Sequence, residues 1–207
     1  MENQWLAWAK RLQGIASTGI HFSRDEFDRE RYTEVAAIAN EMLAGLGDVS
    51  VSKIENLISD FAKGYATPKV DVRGAVIREE KILLVKEISD GLWTLPGGYA
   101  DVGMSPSENV VKEVREEASI EVEPTALYGV RHKARHEYDP DARDFYKLFF
   151  LCETIDESRP QPGAETADVG FFGLDELPPL STGRVLEKDI AAAFAFRRSP
   201  RRLALFD

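Results

Sequence analysis

GYADVGMSPSENVVKEVREEASI, residues 98–120, is the stretch on which the reading of the whole chain turns. Ser105 stands where a helix N-cap would, with Pro106 at the first helical position and Glu108 at the third, so the spacing predicts a helix starting here. At about 100° per residue, Glu113, Glu116 and Glu117 fall within an arc of about 100°, while Val110, Val111, Val114 and Ala118 line a different face. One face anchors the helix and another presents carboxylates. Three carboxylates held that close repel one another, and nearby cations, raised pKa values or a bound divalent metal are the usual remedies. Lys112 lies one turn from both Glu108 and Glu116 and neutralises only part of this charge. Hard oxygen ligands favour Mg²⁺ or Mn²⁺, ions that pair one or two carboxylates with substrate phosphates. Taken alone, an acidic helix face is more often simply solvated. Just before the helix, Leu95-Pro96-Gly97-Gly98 supplies paired glycines, which let a backbone turn tightly and approach a ligand closely.

Upstream the pattern is helical. Trp5, Trp8, Leu12 and Ile15 recur at spacings of three and four, as do Tyr32, Val35, Ala39, Met42 and Leu46. Ser23 followed by Glu26 has the form of a capping box, and a third stripe, Val51, Ile54, Leu57, Ile58 and Phe61, ends at Gly64 with Pro68 beyond. Residues 1–66 therefore read as a small all-helical unit. From residue 67 the runs are rich in β-branched residues: a hairpin from Val70–Ile77 and Ile82–Val85, then strands at Val122–Val130, Tyr146–Cys152 and Val169–Phe172, and a closing helix near Leu186–Phe196. An α/β domain with one central helix fits residues 67–207.

Composition narrows the class. The 207 residues are 43% hydrophobic and 30% charged, an ordinary globular mixture. Cys152 is the only cysteine, which rules out a disulfide framework or a cysteine-based zinc site within one chain. No uncharged run approaches ~20 residues, and Met1 to Lys10 lacks a signal-peptide core, so a cytoplasmic, soluble protein without membrane contact is expected. A net charge of −10 repels a phosphate backbone, which disfavours a DNA partner. Two basic clusters stand against that background: Arg131, His132, Lys133, Arg135 and His136, and Arg197, Arg198, Arg201 and Arg202, the latter reading as a solvated run beside an apolar tail.

From Gly98 to Ile120 the chain resembles the Nudix box, with Gly98, Glu113, Val114, Glu116, Glu117 and Ile120 in register. Three positions depart from it. Met104 stands where the first glutamate belongs, Lys112 replaces arginine, and Ser119 replaces a glycine whose conformational freedom suits a helix C-terminus. The segments WAKRLQGIASTG, TPKVDVRGAVI, LWTLPGGYADVG and DELPPLSTGRV extend the resemblance to the Nudix branch with its own N-terminal helical domain, and within it to CDP-choline pyrophosphatases. The resemblance implies an α/β/α sandwich over residues 67–207 and an N-terminal dimerisation domain over 1–66. It implies Mg²⁺ or Mn²⁺ held by the Gly98 carbonyl and by Glu113, Glu116 and Glu117. Water would attack the diphosphate, with Glu116, Glu117 or the loop residue Glu165 accepting its proton.

Arg131, His132, Arg135 and His136 are candidates to hold a distal phosphate or sugar, and Arg73 and Trp93 to flank the same cleft. A homodimer is expected, because a unit of 66 residues has more apolar surface than it can bury alone. The expected reaction is hydrolysis of CDP-choline to CMP and phosphocholine, for whose ammonium group Trp93, Tyr99, Tyr138 and Tyr146 offer aromatic faces. ADP-ribose is the alternative, then RNA ends; a catalytically silent ligand-binding module is the rival from another class, supported by Met104 and Ser119.

Overall fold

In the computed structural model, which describes residues 2–59, 64–199 and 203–207, the chain forms two compact units. One is Met1–Lys69 with Pro140–Asp144; the other is Val70–Asp139 with Phe145–Asp207. Phe61, Arg201 and Arg202 lie outside the described residues.

The first unit packs α1 (Gln4–Phe22), α2 (Glu26–Gly47) and α3 (Val51–Ser59) around Ala9, Leu43, Ala44, Ile54 and Ile58. Ala9 and Ala16 are fully buried, and such small side chains bring α2 close. The larger stripe points the other way: Trp5 is 59% exposed and Ile15 56%. The expected Ser23–Glu26 capping box does not form. Ser23 ends α1, its N–H bonded to the Gly19 carbonyl, and Asp25 caps α2 by accepting from the Phe27 and Asp28 N–H groups. A carboxylate immediately before the helix offers both the acceptor and the negative charge that a helix start favours.

The second unit is built on a mixed sheet of order β3-β2-β1-β5-β4-β7, with β6 also paired to β2. Its strands are β1 (Lys69–Arg78), β2 (Lys81–Glu87), β3 (Trp93–Thr94), β4 (Val122–His132), β5 (Phe145–Thr154), β6 (Thr166–Gly173) and β7 (Leu205–Phe206). Strand β2 explains the architecture. Ile82 and Leu84 join one core, with Leu95 and the Ile190 and Phe194 of α5 (Glu187–Arg198). Leu83 and Val85 join another, with the Val110, Val114 and Ala118 of α4 (Pro106–Ala118). A strand apolar on both faces needs a cover on both, and the result is the expected α/β/α sandwich. Short β3 and β7 escape sequence periodicity because two residues carry none; β7 forms by parallel pairing of Leu205 and Phe206 with Gly129 and Val130. Among the described residues, no helix is long and apolar enough to cross a membrane.

Helix α4 is fixed closely at both ends. The Ser105 hydroxyl accepts from the Glu108 N–H and the Glu108 carboxylate from the Ser105 N–H, the capping box that the sequence predicts. In the middle, Gly74 of β1 makes room: a Cβ there would lie 2.8 Å from Val114 Cγ2. At the C-terminus, the Gln161 and Gly163 N–H groups and the Thr166 hydroxyl bond the carbonyls of Ala118 and Glu117. That docking demands glycine at 163, where a Cβ would fall 1.7 Å from the Glu116 carbonyl oxygen. Ser119 caps the helix at φ 55°, ψ 35°, a left-handed conformation that costs a non-glycine residue about 1 kcal/mol. Ser119→Gly is therefore expected to raise Tm by about 2–4 °C in a thermal melt; an unchanged or lower Tm would show that the serine carries no such strain.

Candidate active site

Asp71 and Arg73 lie two apart on β1, so both side chains point to one side of the strand. The Asp71 carboxylate accepts from Arg73 Nε (2.9 Å) and Nη2 (2.8 Å), and from Lys147 Nζ of β5 (2.7 Å). All three residues are at most 5% exposed. Arg73 Nη1 donates to the Leu95 carbonyl at 3.1 Å. The backbone of β1 completes the hold, the N–H groups of Gly74 and Val72 bonding the carbonyls of Pro96 and Gly98. Gly97, between them, has φ +145°, and a Cβ there would sit 2.0 Å from the Val72 carbonyl oxygen. Only glycine fits, and its N–H donates to Glu117 Oε2 at 2.9 Å.

The glutamates of α4 thus face a rigid loop. Glu117 is 8% exposed, and burial pushes its pKa up to about 7. Arg73 and the Gly97 N–H oppose that shift, while Glu87 and Glu113 add to it. Burial likewise raises Glu113, with Lys112 and Arg73 opposing and Glu116 and Asp101 adding. Glu113 lies directly over Gly98: a Cβ on Gly98 would stand 3.1 Å from its carboxylate oxygens. Glu116 is exposed and turned to Lys112 (3.3 Å), which also bonds Asp101 (2.9 Å). The expected Lys112–Glu108 contact is replaced by Asp101, because Glu108 is used in the capping box.

Among the described residues, no three His, Cys, Asp or Glu side chains converge closely enough, as they stand, to hold an ion. The chemistry of the donor set nevertheless fits a hard divalent cation. Its groups are all oxygens, and Glu113 and Glu117 are both pushed toward their neutral forms, chiefly by burial and in smaller part by neighbouring carboxylates. Glu116 would have to leave Lys112, an exposed pairing worth less than about 1 kcal/mol. The Gly98 carbonyl accepts from the Val72 N–H and keeps its second lone pair. Met104, at the position of the first box glutamate, is 37% exposed and so outside the core. The buried Asn109 shapes its loop by bonding the Asp101 N–H and the Met104 and Ser105 carbonyls.

The remaining candidates separate. Glu165 is exposed on the loop docked against the end of α4, its carbonyl bonded by the Ile88 N–H. Arg73 is buried beneath the loop and organises it, with no face for a substrate. Trp93 packs edge-to-face on Phe172 (4.7 Å), and its backbone is bonded to Pro179 and Ser181, which makes it a packing residue. Arg131 pairs with the buried Asp189 at 2.9 Å. His132, through its N–H, and His136, through Nε2, both bond Asp207. Arg135 is exposed in a short 3₁₀ turn, Lys133–Arg135. Sequence reading missed Asp71, Lys147, Glu87 and Asn109. The signal for Asp71 was present: opposite charges two apart within an apolar strand share one buried face.

Two family models match the chain: a UDP-X-like, N-terminal oligomerisation domain over residues 3–58 and a NUDIX domain over residues 68–194. A Bacillus subtilis (strain 168) protein named "Putative ADP-ribose pyrophosphatase YjhB" is 42% identical over 207 residues, spanning 100% of this chain and 99% of its own. The crystal structure of an ADP-ribose pyrophosphatase from Streptococcus suis 89-1591 is 42% identical, covers 68% of this chain and 100% of its own, and superposes with a TM-score of 0.62. That of a UDP-X diphosphatase is 32% identical and covers 98% of both chains, with a TM-score of 0.63.

Burial pushes the Asp71 carboxyl up, but Arg73 and Lys147 outweigh it and hold it down at about 2, below the ordinary 3.8. Lys147 is also lowered, to about 8, by burial and by Arg73, because two buried cations share one carboxylate. A carboxyl whose pKa falls on folding stabilises the fold above its unfolded value and loses that contribution as the pH drops through its folded value. Wild-type stability should therefore fall between pH 4 and about 2. Asp71→Asn leaves two buried cations unpaired, which costs on the order of 3–5 kcal/mol. The expected result at pH 7 is a Tm lower by about 10 °C, with a flattened acid limb; a melt within 2 °C of wild type, roughly a 1 kcal/mol effect, would refute the central role of this carboxylate.

Proposed function

The chain belongs to the Nudix hydrolase family, and from that premise we propose that it hydrolyses the pyrophosphate bond of ADP-ribose, yielding AMP and ribose 5-phosphate. The observation that carries the substrate is the full-length likeness to the Bacillus protein named for that activity, seconded by the Streptococcus structure. CDP-choline, favoured by sequence resemblance, takes second place. All four aromatic residues meant to receive its ammonium group have partners within the chain: Trp93 on Phe172, Tyr99 on Phe145, Tyr146 edge-on to His132, and Tyr138 against Lys147 Nζ (5.5 Å) with its hydroxyl on Asp189. A UDP-linked sugar is a further reading, supported by the UDP-X diphosphatase.

Mg²⁺ or Mn²⁺ held by Glu113, Glu116, Glu117 and the Gly98 carbonyl would neutralise phosphoryl oxygens and ease deprotonation of the attacking water. The chain's own residues do the rest. The Gly97 N–H holds Glu117 against the loop, so the carboxylate enters the reaction already oriented. Water attacks phosphorus, the bond to the leaving phosphate oxygen breaks, and Glu165 accepts the water's proton. Glu165 suits this role because its loop is fastened to the Glu117 carbonyl while its side chain stays exposed.

The test is a panel of ADP-ribose, CDP-choline, a UDP-sugar, NADH, diadenosine polyphosphates and short RNA, ranked by kcat/KM with Mg²⁺ and with Mn²⁺. ADP-ribose should lead, and Glu117→Gln should fold normally while losing ~10²-fold or more in turnover. If CDP-choline or a UDP-sugar leads, the mechanism stands and the substrate is wrong; if every diphosphate is inert, a ligand-binding module replaces the enzyme.

We also propose that residues 1–66 mediate a homodimer. Trp5, Trp8, Ile15 and Phe22 remain between 43% and 61% exposed on α1, an apolar stripe that a second copy would cover. Sedimentation at micromolar concentration should give twice the chain mass for the wild type and a monomer for Trp8→Glu. A monomeric wild type would remove the assignment.

A further inference from the structure

Arg131, His132 and His136 were read in the sequence as holders of an anion. In the structure the two histidines do meet one, and it belongs to the chain itself, while Arg131 is paired with Asp189 close by. The His132 N–H and His136 Nε2 (2.6 Å) both bond the Asp207 carboxylate. Burial raises the Asp207 carboxyl, but these two bonds and the nearby charges of His136 and Arg131 overcome it and hold it below the usual range. A backbone N–H and an imidazole turned on one carboxylate, within the field of a guanidinium held by Asp189, make a donor set that serves a phosphate oxygen equally well.

The segment carrying Asp207 is lightly held. Strand β7 makes two ladder pairs with β4, and Leu203, Leu205 and Phe206 are 85%, 48% and 77% exposed. Little apolar surface secures it, so the carboxylate supplies much of its attachment. A relay of neighbours links it to the Gly98 loop. His132 is paired in register with Tyr146; the adjacent Phe145 ring stacks on Tyr99 (5.6 Å); and Tyr99 follows Gly98, beneath the Glu113 carboxylate.

We propose that His132 and His136, with the charge of Arg131, form a subsite for the phosphoryl group of the substrate that is remote from Glu113 and Glu117, and that Asp207 occupies it as an internal competitor on a displaceable strap, Leu203–Asp207. The choice of a diphosphate as ligand rests on the pyrophosphatase reading; the anion site itself does not. A site occupied by its own strap nine-tenths of the time binds a ligand roughly tenfold more weakly than when the strap is absent.

The probe is inorganic phosphate, titrated into the full-length protein while the backbone amides of His132 and Phe206 are followed by NMR. Asp207→Ala and deletion of residues 203–207 should each bind phosphate roughly tenfold more tightly than wild type, with KM for ADP-ribose falling by the same factor. His136→Gln should weaken phosphate binding and abolish the gain when combined with Asp207→Ala. In the wild type, phosphate should speed hydrogen exchange at Leu205 and Phe206, a readout that survives if either variant fails to fold. Unchanged or weaker phosphate binding without the strap, or exchange indifferent to phosphate, overturns the proposal. If ADP-ribose proves inert while phosphate behaves as stated, the substrate reading has failed and the strap has not.

Discussion

The Asp71 carboxylate, buried with two cations on it, is the constraint on which the site depends. Without it, Arg73 could not remain in the interior, because an unpaired buried guanidinium is among the costliest groups a fold can carry. With it, Arg73 has a nitrogen left for the Leu95 carbonyl, and the turn that follows is drawn onto β1. Gly97 then comes so close to the Val72 carbonyl that no side chain is possible, and its N–H meets Glu117. A charge pair inside one strand thereby becomes the geometry of a carboxylate on a helix.

That helix is held as rigidly as its function requires. Val110, Val114 and Ala118 anchor it to the sheet, Ser105 and Glu108 close its start, and the loop around Gly163 closes its end. Stability is given up in return. Glu113 and Glu117 are both desolvated beside like charge, with Arg73 as their buried cation. A fold optimised for stability alone would not gather carboxylates in this way, and such a cluster of desolvated acids is the kind of feature on which the proposed metal and diphosphate site rests.

Elsewhere the chain satisfies its own charges more fully than composition implies. Arg131 has Asp189, Arg184 has Glu87 and Asp90, and His136 has Asp207. Glu87 is the most consequential of these, since it links Arg184 on the surface to the field around Arg73 and Glu117. The first unit shows the opposite economy. Its small residues face inward and its tryptophans outward, which suits a helix that meets a second partner on its larger side chains.

Much of this was legible in the chain. The capping pattern at Ser105, the alternation of β-branched runs and the spacing of Glu113, Glu116 and Glu117 are local properties, and local periodicity decides which residues share a face. The α/β character of residues 67–207 and the carboxylate-bearing helix follow from them, and the sandwich from the resemblance to the Nudix box. What local order does not carry is the choice among partners. Lys112 takes Asp101 because Glu108 is occupied; Asp71 is met by Lys147, 76 residues away; His136 is met by Asp207, 71 residues away; and Trp93 turns from a cleft to Phe172. Sequence by itself determined the longer elements and the acidic face; tertiary structure alone decided the two short strands, which charges are spent inside the fold and which remain for a ligand, because each pairing depends on a group brought from far along the chain into a volume where an unpaired charge is not tolerated.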